Sequence, residues 1–503
     1  MQINAIPKRF NRPFVIIRKE RLRNKEVTLL CCDLSNELLE LNTPESVRLL
    51  ELCNGRRTVT EIINMLADEV GLSVSDIKND ALKLFGVLEE YGVIFYDTTS
   101  LYKHTLRGIS GRPFLDYLQK NGITHFSAPL NVRFLTTLRC DARCRYCYLS
   151  AGRDGLKRFR NEMTTEQIKK LMDQCDKFGA VSVGFMGGEP FLRKDAIELI
   201  DYSLKLKIFT PTSTNGTILS DEKIAKELAD IADANLFSLQ VSIDGSKPEI
   251  HEYTRSGVKF EKVVKCIKNM VDYGVRINTN IVVTKANIKD VPDLVSMLDK
   301  LKVPEATFSE FMPVGMGTKI AEDLLLSYSD YYNLQAEVIP KLQEEYPDIR
   351  LYGKMLEPEF WNEKRIQKPS SHTVGRCVAG TTDICIAPDS TILPCAWFVL
   401  FPEFWAENAL EKDIVNIWNN SKKLKMLREV PIKGKCEHCE FSRSCYKGCH
   451  ALKWALYKDI HIPDPKCWYI PGDRKTIYPP KEILETMKPS YQKDLRNKKE
   501  IKG

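Results

Sequence analysis

The sequence lacks the features that would assign it at once to several common classes. No apolar run in its 503 residues reaches membrane-spanning length, and the N-terminal stretch MQINAIPKRFNRP contains no apolar signal segment. The net charge of +7 is modest for this length and does not favour a nucleic-acid partner, although an acidic peptide would be compatible. We therefore expect a cytoplasmic protein of two to four globular domains.

Cysteine, in contrast, is abundant. The chain contains 16 Cys, most of them in two spaced groups. Disulfides would explain such a number in a small secreted protein, but a long chain without an export signal more often uses clustered thiols to hold a metal or an iron–sulfur cluster. The remaining cysteines are scattered, and we expect most of them to be small buried apolar residues: Cys31, Cys32, Cys53, Cys175, Cys266 and Cys385.

Residues 1–97 are predicted to form a small winged-helix-like domain. Residues 14–41 alternate in polarity and are rich in β-formers, which indicates two or three short strands. Thr58 and Glu61 have the spacing of a capping box and predict a helix that extends to about Val70. A third helix is predicted over 75–91, and it mixes acidic and basic side chains, so it does not resemble a DNA-binding face.

A linker is expected over 98–129, and a strand–helix alternation begins at Asn131. Helical segments separate six strand candidates: NVRFLTT, VSVGFM, IFTPTSTN, FSLQVSI, RINTNIVV and ATFSEFM. Repeated β–α units predict a parallel α/β sheet, open or curled into a barrel, over 130–330, with its chemistry at the carboxyl ends of the strands. We expect a helical bridge over 331–375, a cysteine-rich domain over 376–470 and a basic tail over 471–503.

Three cysteines follow the first of these strands directly, in the stretch RCDARCRYCYLS. They are Cys140, Cys144 and Cys147, with Tyr146 immediately before the last. Thiolates are the usual ligands of a [4Fe–4S] cluster, and three of them in a short loop leave the fourth iron open to a small molecule. The spacing alone leaves two alternatives, a zinc site that recruits a fourth ligand from elsewhere and cysteines that hold no metal.

Polar motifs follow later strands at the same edge of the predicted sheet. GGEP ends the second strand and offers a glutamate to an ammonium group, VSIDG ends the fourth and offers side chains to a hydroxyl-bearing ligand, and an arginine beyond it can pair with a carboxylate. Each motif alone is often only a turn or a solvated surface, but together they suit an amino acid joined to a ribose. The candidate binding residues are Gly187, Gly188, Glu189, Ser242, Asp244 and Arg255.

This combination resembles the radical S-adenosylmethionine (SAM) superfamily over roughly residues 131–320. The resemblance rests on the CxxxCxxC spacing with an aromatic residue before the last Cys, and on the strand-end motifs. It implies a partial (β/α)6 TIM-like barrel and a [4Fe–4S] cluster, held by the three cysteines, whose open iron chelates the methionine portion of SAM. Reductive cleavage of SAM would then give a 5′-deoxyadenosyl radical that abstracts a substrate hydrogen.

The same resemblance assigns roles to the strand-end residues. It implies that Glu189 binds the amino group of SAM, Ser242 the ribose or methionine portion, and Arg255 the carboxylate. Asn215, in the motif STNGT at the third strand end, would assist. The catalytic side chains that face the substrate are not identified by the sequence.

Seven further cysteines lie near the C-terminus, enough to complete one four-ligand cluster and to supply three ligands to another. A zinc ribbon would explain only those between 436 and 449. The pattern closely resembles the SPASM domain, which carries two auxiliary [4Fe–4S] clusters. By that resemblance the distal cluster is held by Cys436, Cys439, Cys445 and Cys467, and the proximal cluster by Cys377, Cys395 and Cys449.

Two positions leave the C-terminal assignment open in detail. Ser390 stands where the family usually has a glycine, which is a mild change in a turn. Cys385 either completes the proximal cluster or is a buried strand cysteine beside an open iron that could meet a substrate thiol.

The N-terminal pattern LLELNTPESVRLLELCNGRRTVTEIINMLADEVG is similar to the peptide-recognition element (RRE, PqqD-like) of systems that modify ribosomally synthesised peptides (RiPPs). That resemblance implies that a precursor leader adds a strand near Glu37–Leu41, beside the third helix. The alternative is a structural cap on the barrel.

The three modules together indicate a radical SAM/SPASM oxidoreductase, a RiPP maturase that cross-links a precursor peptide by a thioether or C–C bond. It would use three [4Fe–4S] clusters, SAM, and a donor such as ferredoxin or flavodoxin. One alternative is a sulfatase-type maturase, but Ala396 occupies the position of that family's catalytic base. A second is a non-catalytic, cluster-bearing peptide-binding scaffold.

Overall fold

The computed structural model describes residues 8–9, 15–22, 25–32, 37–54, 56–91, 93–95, 117–118, 121–152, 159, 161–353, 377–439, 448–465 and 467. Cys445, the predicted basic tail, most of the predicted linker and the end of the predicted bridge lie outside these residues. Within the described ranges, no helix combines the length and apolar character needed to cross a membrane.

The N-terminal domain combines a three-stranded antiparallel sheet with three helices. Its strands are β1 (Lys8–Arg9), β2 (Val15–Leu22), β3 (Lys25–Cys32), β4 (Glu37–Leu41) and β5 (Ile94–Phe95). Its helices are α1 (Pro44–Leu52), α2 (Val59–Val70) and α3 (Val74–Glu90). The sheet order is β2–β3–β4, and β1 pairs with β5. Among the described residues, β4 pairs only with β3, so one edge of this sheet is open.

Local sequence signals determine where these helices begin. Each of the three starts with a capping box. The one predicted from sequence is formed: the Glu61 amide donates to the Thr58 hydroxyl at 3.2 Å, and the Thr58 amide donates to the Glu61 carboxylate at 2.7 Å. The apolar helix faces then pack on the sheet, where Leu50, Ile62 and Phe85 are almost completely buried.

The central region has the predicted strand–helix alternation. Six parallel strands lie side by side in chain order: β6 (Asn131–Thr137), β7 (Ser182–Gly187), β8 (Thr210–Thr214), β9 (Phe237–Ser242), β10 (Ile277–Val283) and β11 (Glu305–Glu310). The helices between and after them are α4 (Thr165–Lys177), α5 (Ala196–Lys205), α6 (Glu222–Ile231), α7 (Pro248–Thr254), α8 (Phe260–Asp272) and α9 (Val291–Lys300). Cys175 and Cys266 are buried core residues of α4 and α8, as expected.

In the described part of the predicted helical bridge, residues 331–353, helical structure ends at Glu345. Two short helices, α10 (Ala321–Leu324) and α11 (Tyr328–Tyr332), lead into it, and a π-helical turn (Asn333–Val338) and α12 (Ile339–Glu345) follow. Strand β12 (Arg350–Gly353) follows and pairs in parallel with β11. The Gln343 side chain fixes this strand, since it donates to the Ile349 carbonyl at 2.9 Å and accepts from the Leu351 amide at 2.8 Å. Four residues are too short a pattern to predict such a strand.

The cysteine-rich region continues the barrel sheet at its other edge. Strand β13 (Asp383–Ile386) pairs in parallel with β6, and β14 (Ile392–Leu393) pairs antiparallel with β13. The sheet therefore has nine strands. The helices of this region are α13 (Ile414–Asn420), α14 (Lys422–Arg428) and α15 (His450–Tyr457).

The described part of the predicted linker packs between the domains. Leu118 and Phe126 are buried against Val27 and Leu29 of β3. The Trp418 indole on α13 donates to the Phe126 carbonyl at 2.7 Å. This short segment thus connects the N-terminal sheet to the C-terminal helices through buried contacts.

Candidate active site

The three-cysteine loop lies where β6 ends, at the carboxyl edge of the sheet. Cys140, Cys144 and Cys147 are free, half-buried thiols. Burial raises the pKa of Cys140 to about 12 and that of Cys144 to about 11. Thiols in such a place ionise when a metal centre binds them, since coordination favours the thiolate. The donor set therefore fits the [4Fe–4S] cluster that the sequence predicts.

Gly187 and Gly188, at the end of β7, allow the end of this second strand to contact the three-cysteine loop. The Gly188 amide donates to the Thr137 carbonyl at 2.8 Å, and the Glu189 amide donates to the Arg139 carbonyl at 2.9 Å. A Cβ atom at Gly187 or Gly188 would collide with these two carbonyl oxygens. The glycines therefore allow two chain segments to meet, a role that their place among the candidate binding residues did not indicate.

Glu189 is the buried acceptor at this strand end. Its carboxylate accepts hydrogen bonds from the Phe191 amide at 3.2 Å, the Thr214 hydroxyl at 2.8 Å and the Asn215 amide at 2.7 Å. Burial nevertheless raises the pKa of Glu189 to about 7. A cationic ammonium placed here would stabilise the charged form, which is the chemistry that the resemblance assigns to this residue.

Asp244 is fully buried and its carboxylate is used by the protein itself. It accepts from the Tyr146 hydroxyl, from the Thr254 hydroxyl at 2.8 Å and from the Val282 amide at 3.1 Å, and it pairs with Arg255 Nε at 3.0 Å. A contact of this carboxylate with a ligand hydroxyl stays a prediction from the sequence. In the structure, the carboxylate also positions the Tyr146 ring and the Arg255 guanidinium.

The remaining predicted residues lie around the same loop. The Asn215 side chain donates to Asp141 at 2.7 Å, and Asp141 also accepts from the Thr217 hydroxyl. Ser242 is half-buried at the end of β9. Asp141 and Thr217 were not singled out from the sequence, because an Asp inside a cysteine loop and a Thr after NG are ordinary turn residues.

A further contact that the sequence did not indicate comes from the loop after β11. The Met316 amide donates to the Cys147 carbonyl at 3.0 Å. Gly315 has φ of 63°, and a Cβ there would meet the carbonyl oxygens of Cys147 and Tyr148. The only signal was the short run GMG in PVGMGTK. This loop closes the cysteine loop from the far side of the barrel.

The C-terminal cysteines form two groups. Cys395 interacts electrostatically with Cys377, Cys449 and Cys385, and Cys436 interacts with Cys439 and Cys467. Within the described part of the chain, no three His, Cys, Asp or Glu side chains lie close enough to hold a single metal ion. A [4Fe–4S] cluster holds its thiolates around a larger body, and the two groups correspond to the two ligand sets that the SPASM resemblance implies.

Backbone donors surround the first group. Amide groups of Ala379 and His450 donate to the Cys377 sulfur, and the Trp397 amide donates to Cys395. Hydrogen bonds to cluster sulfurs are one of the means by which proteins set cluster potentials. These donors therefore suit a redox centre as well as a structural one.

Cys385, the third cysteine neighbour of Cys395, lies beside that group but inside the hydrophobic core. It is fully buried on β13, where its backbone pairs with Leu393 on one side and Arg133 on the other. Leu135 and Leu393 pack in the same apolar cluster. This environment favours the buried-cysteine alternative over the ligand alternative.

Family models match three segments that coincide with the three structural regions. The radical SAM superfamily matches residues 134–298, the coenzyme PQQ synthesis protein D (PqqD) family matches 39–94, and the iron–sulfur cluster-binding domain called SPASM matches 377–440. The chain is therefore a radical SAM/SPASM enzyme with an N-terminal PqqD domain.

Named relatives refine that class. Mycofactocin maturase MftC of Mycolicibacterium smegmatis is 26% identical over 360 residues (70% of this chain, 87% of the relative). PqqA peptide cyclase of Bradyrhizobium diazoefficiens is 26% identical over 358 residues (69% and 88%). AdoMet-dependent heme synthase of Methanosarcina barkeri is 27% identical over 364 residues (69% and 99%). Two of these three relatives are named as a maturase and as a peptide cyclase.

One solved structure shares most of the fold. The crystal structure of Streptococcus suis SuiB bound to precursor peptide SuiA covers 92% of this chain and 100% of SuiB, with a TM-score of 0.68 and 21% sequence identity. This similarity establishes the common arrangement of the N-terminal domain, barrel and C-terminal region.

Proposed function

We propose that this enzyme installs a thioether or C–C cross-link in a ribosomally synthesised precursor peptide, in the cytoplasm. The proposal rests on the presence of three regions in one chain. They are a PqqD domain, a radical SAM barrel and a C-terminal domain that contains two groups of cysteines. The PqqD domain would bind the leader, the barrel would generate the radical, and the C-terminal domain would accept the electron that remains after the cross-link forms.

The barrel residues have distinct tasks in this account. Glu189 binds the amino group of SAM, Arg255 its carboxylate and Ser242 its ribose or methionine portion. Gly187 and Gly188 keep the strand end close to the cysteine loop. When bound, the cluster and SAM supply a 5′-deoxyadenosyl radical that removes one substrate hydrogen.

Two residues position these binding groups. Asn215 and Tyr146 hold the loop in place through Asp141 and Asp244. Both aspartates therefore act through other side chains rather than on SAM directly.

The C-terminal thiols would hold two auxiliary [4Fe–4S] clusters, which makes three clusters in all. Cys377, Cys395 and Cys449 supply the proximal set; Cys436, Cys439, Cys445 and Cys467 supply the distal set. As the cross-link closes, the substrate releases a second electron and a proton. The auxiliary clusters offer the electron a route to an external acceptor, and a ferredoxin or flavodoxin supplies the electron that starts SAM cleavage.

The open edge of β4 is the proposed leader site. Along an antiparallel edge strand, alternate residues direct their N–H and C=O groups away from the paired strand, so these groups of β4 can pair with an added strand. The Glu40 carboxylate of this strand accepts from the Tyr117 hydroxyl of the linker at 2.7 Å, which connects the edge to the segment that packs on the barrel. A bound leader would thus lie next to the segment that packs on Leu130 and Val181, the residues before β6 and β7.

The test is an anaerobic reaction of the reconstituted enzyme with SAM, reductant and the precursor peptide encoded beside it. Tandem mass spectrometry should find a loss of two hydrogens and no fragments between two core residues. A matched peptide without its leader should react far more slowly, since β-augmentation would be absent. A full-length peptide of unchanged mass, alongside normal 5′-deoxyadenosine formation, would contradict the substrate assignment.

Two other enzymatic functions, a sulfatase-type maturase and a heme synthase, have less support. Ala396 is buried in a short turn after Cys395 and carries no group that could act as the base of a sulfatase-type maturase. A heme synthase is among the relatives. The PqqD match over 39–94 favours a peptide over a tetrapyrrole, because that domain offers a sheet edge rather than a flat apolar cavity.

A further inference from the structure

A completely buried lysine lies among the C-terminal cysteines. Lys453 is 0% exposed on α15, one helical turn after Cys449, whose carbonyl accepts from its amide at 3.2 Å. Burying an ammonium group is costly unless negative charges surround it. The position of the side chain therefore calls for an explanation.

The neighbours of Lys453 belong to both cysteine groups. The ammonium interacts with Asp464, with Cys377 and Cys449 of the proximal set, and with Cys436 of the distal set. Lys453 thus lies between the two auxiliary ligand sets.

A purely structural role leaves part of this arrangement unexplained. The carbonyl of Ile460 accepts from the ammonium at 3.5 Å, which is a long hydrogen bond. Asp464 also accepts from the Cys449 amide at 2.8 Å, so its charge is shared with that ligand loop. Burial lowers the pKa of Lys453, and the nearby acid and thiols oppose this effect. When they hold clusters, the thiolates on both sides would supply further negative charge.

We infer that the positive charge of Lys453 raises the reduction potentials of both auxiliary clusters and thereby assists electron transfer. The inference rests on the proposed two-cluster assignment. Reduction adds one negative charge to a cluster, and a fixed positive charge nearby stabilises that reduced form. Either auxiliary cluster would then accept an electron released by the substrate more readily.

The test uses the full-length, reconstituted protein and the variant Lys453→Met, which keeps the length of the side chain and removes its charge. Potentiometric titration followed by electron paramagnetic resonance should show lower midpoint potentials for both auxiliary clusters and an unchanged potential for the SAM cluster. The matched control is Lys458→Met, at the exposed end of the same helix, which should leave all three potentials unchanged. Unshifted auxiliary potentials in Lys453→Met would overturn the inference.

Iron and sulfide analysis separates this result from other failures. If Lys453→Met loads poorly, Lys453→Arg, which keeps the charge, should restore both loading and potentials. An arginine variant as defective as the methionine variant would show that packing rather than charge matters, and would refute the inference. Wild-type protein with fewer than two auxiliary clusters would instead overturn the cluster assignment itself.

Discussion

Tyr148 stacks on Trp397 with ring centroids 4.2 Å apart and an angle of 25° between the ring planes. Tyr148 follows Cys147 of the SAM-cluster loop directly, and Trp397 lies two residues after Cys395 of the proximal set. Tyr148 also interacts electrostatically with both of these cysteines. One aromatic pair therefore holds the two proposed cluster sites in a fixed relation.

Removal of this stack should uncouple radical formation from product formation. Tyr148→Leu is expected to lose about 1 kcal/mol of stability, the contribution of an aromatic pair beyond its buried area. SAM would still be cleaved, but the ratio of 5′-deoxyadenosine to cross-linked peptide should rise several-fold. Tyr148→Phe keeps the ring and serves as the control. Equal ratios in the leucine and phenylalanine variants would show that the stack has no such role.

The pair between Asp244 and Arg255 should be important for both stability and SAM binding. Asp244→Asn leaves a buried guanidinium without its carboxylate, and breaking a buried pair in this way costs about 3–5 kcal/mol. We expect a large fall in the denaturation midpoint and a dissociation constant for SAM that is at least tenfold larger. The control is Asp293→Asn, because that carboxylate is exposed and 4.0 Å from Lys247; its effect should stay below about 1 kcal/mol. Comparable losses in both variants would refute a special role for Asp244.

His251 should make the fold sensitive to acid. It is fully buried, its Nδ1 accepts from the Asp244 amide at 3.2 Å, and burial lowers its pKa to about 4. The unfolded imidazole has a pKa of about 6.5, so the unfolded state takes up a proton first as pH falls. The stabilising effect of neutral His251 is therefore present above pH 6.5 and is lost as the pH falls toward 4.

The measurement is the difference in melting temperature between the wild type and His251→Gln at several pH values. The variant should be the less stable protein at pH 7.5, and the difference should narrow on acidification. A difference that stays constant between pH 7.5 and pH 5 would contradict the assignment.

Cys385 should not be a cluster ligand. Cys385→Ala should keep the iron content and the spectrum of the proximal cluster, because its thiol is buried among Leu135, Ala387 and Leu393. Cys377→Ala should lose that cluster. If the Cys385 variant lost the iron of one cluster, Cys385 would be the fourth ligand of the proximal cluster. That result would argue against an open proximal iron.

Local signals in the sequence predicted much of this molecule. Capping boxes and helical spacing fixed the N-terminal helices, and the β–α alternation fixed the order of the six central strands. Two features could not be predicted, since each joins residues far apart in the chain. They are the contact between Tyr146 and Asp244 and the pairing of β13 with β6. Short strands such as β12 carry too few residues to show a pattern.

The same distinction holds within the site. Cysteine spacing indicates ligands because a cluster constrains residues that are close in sequence. Lys453 and Trp397 carry no such spacing, and an isolated Lys or Trp in a sequence is normally a surface or core residue. Their placement beside the cysteines is a property of tertiary packing.

Deuterium transfer tests the central claim most directly. The precursor peptide would be prepared with deuterium at the carbons of its core residues and incubated anaerobically with the reconstituted enzyme, SAM and reductant. The account predicts that the 5′-deoxyadenosine formed carries one deuterium, and that this label appears only with leader-bearing peptide. Unlabelled 5′-deoxyadenosine formed at the normal rate would show that the radical does not take its hydrogen from the peptide.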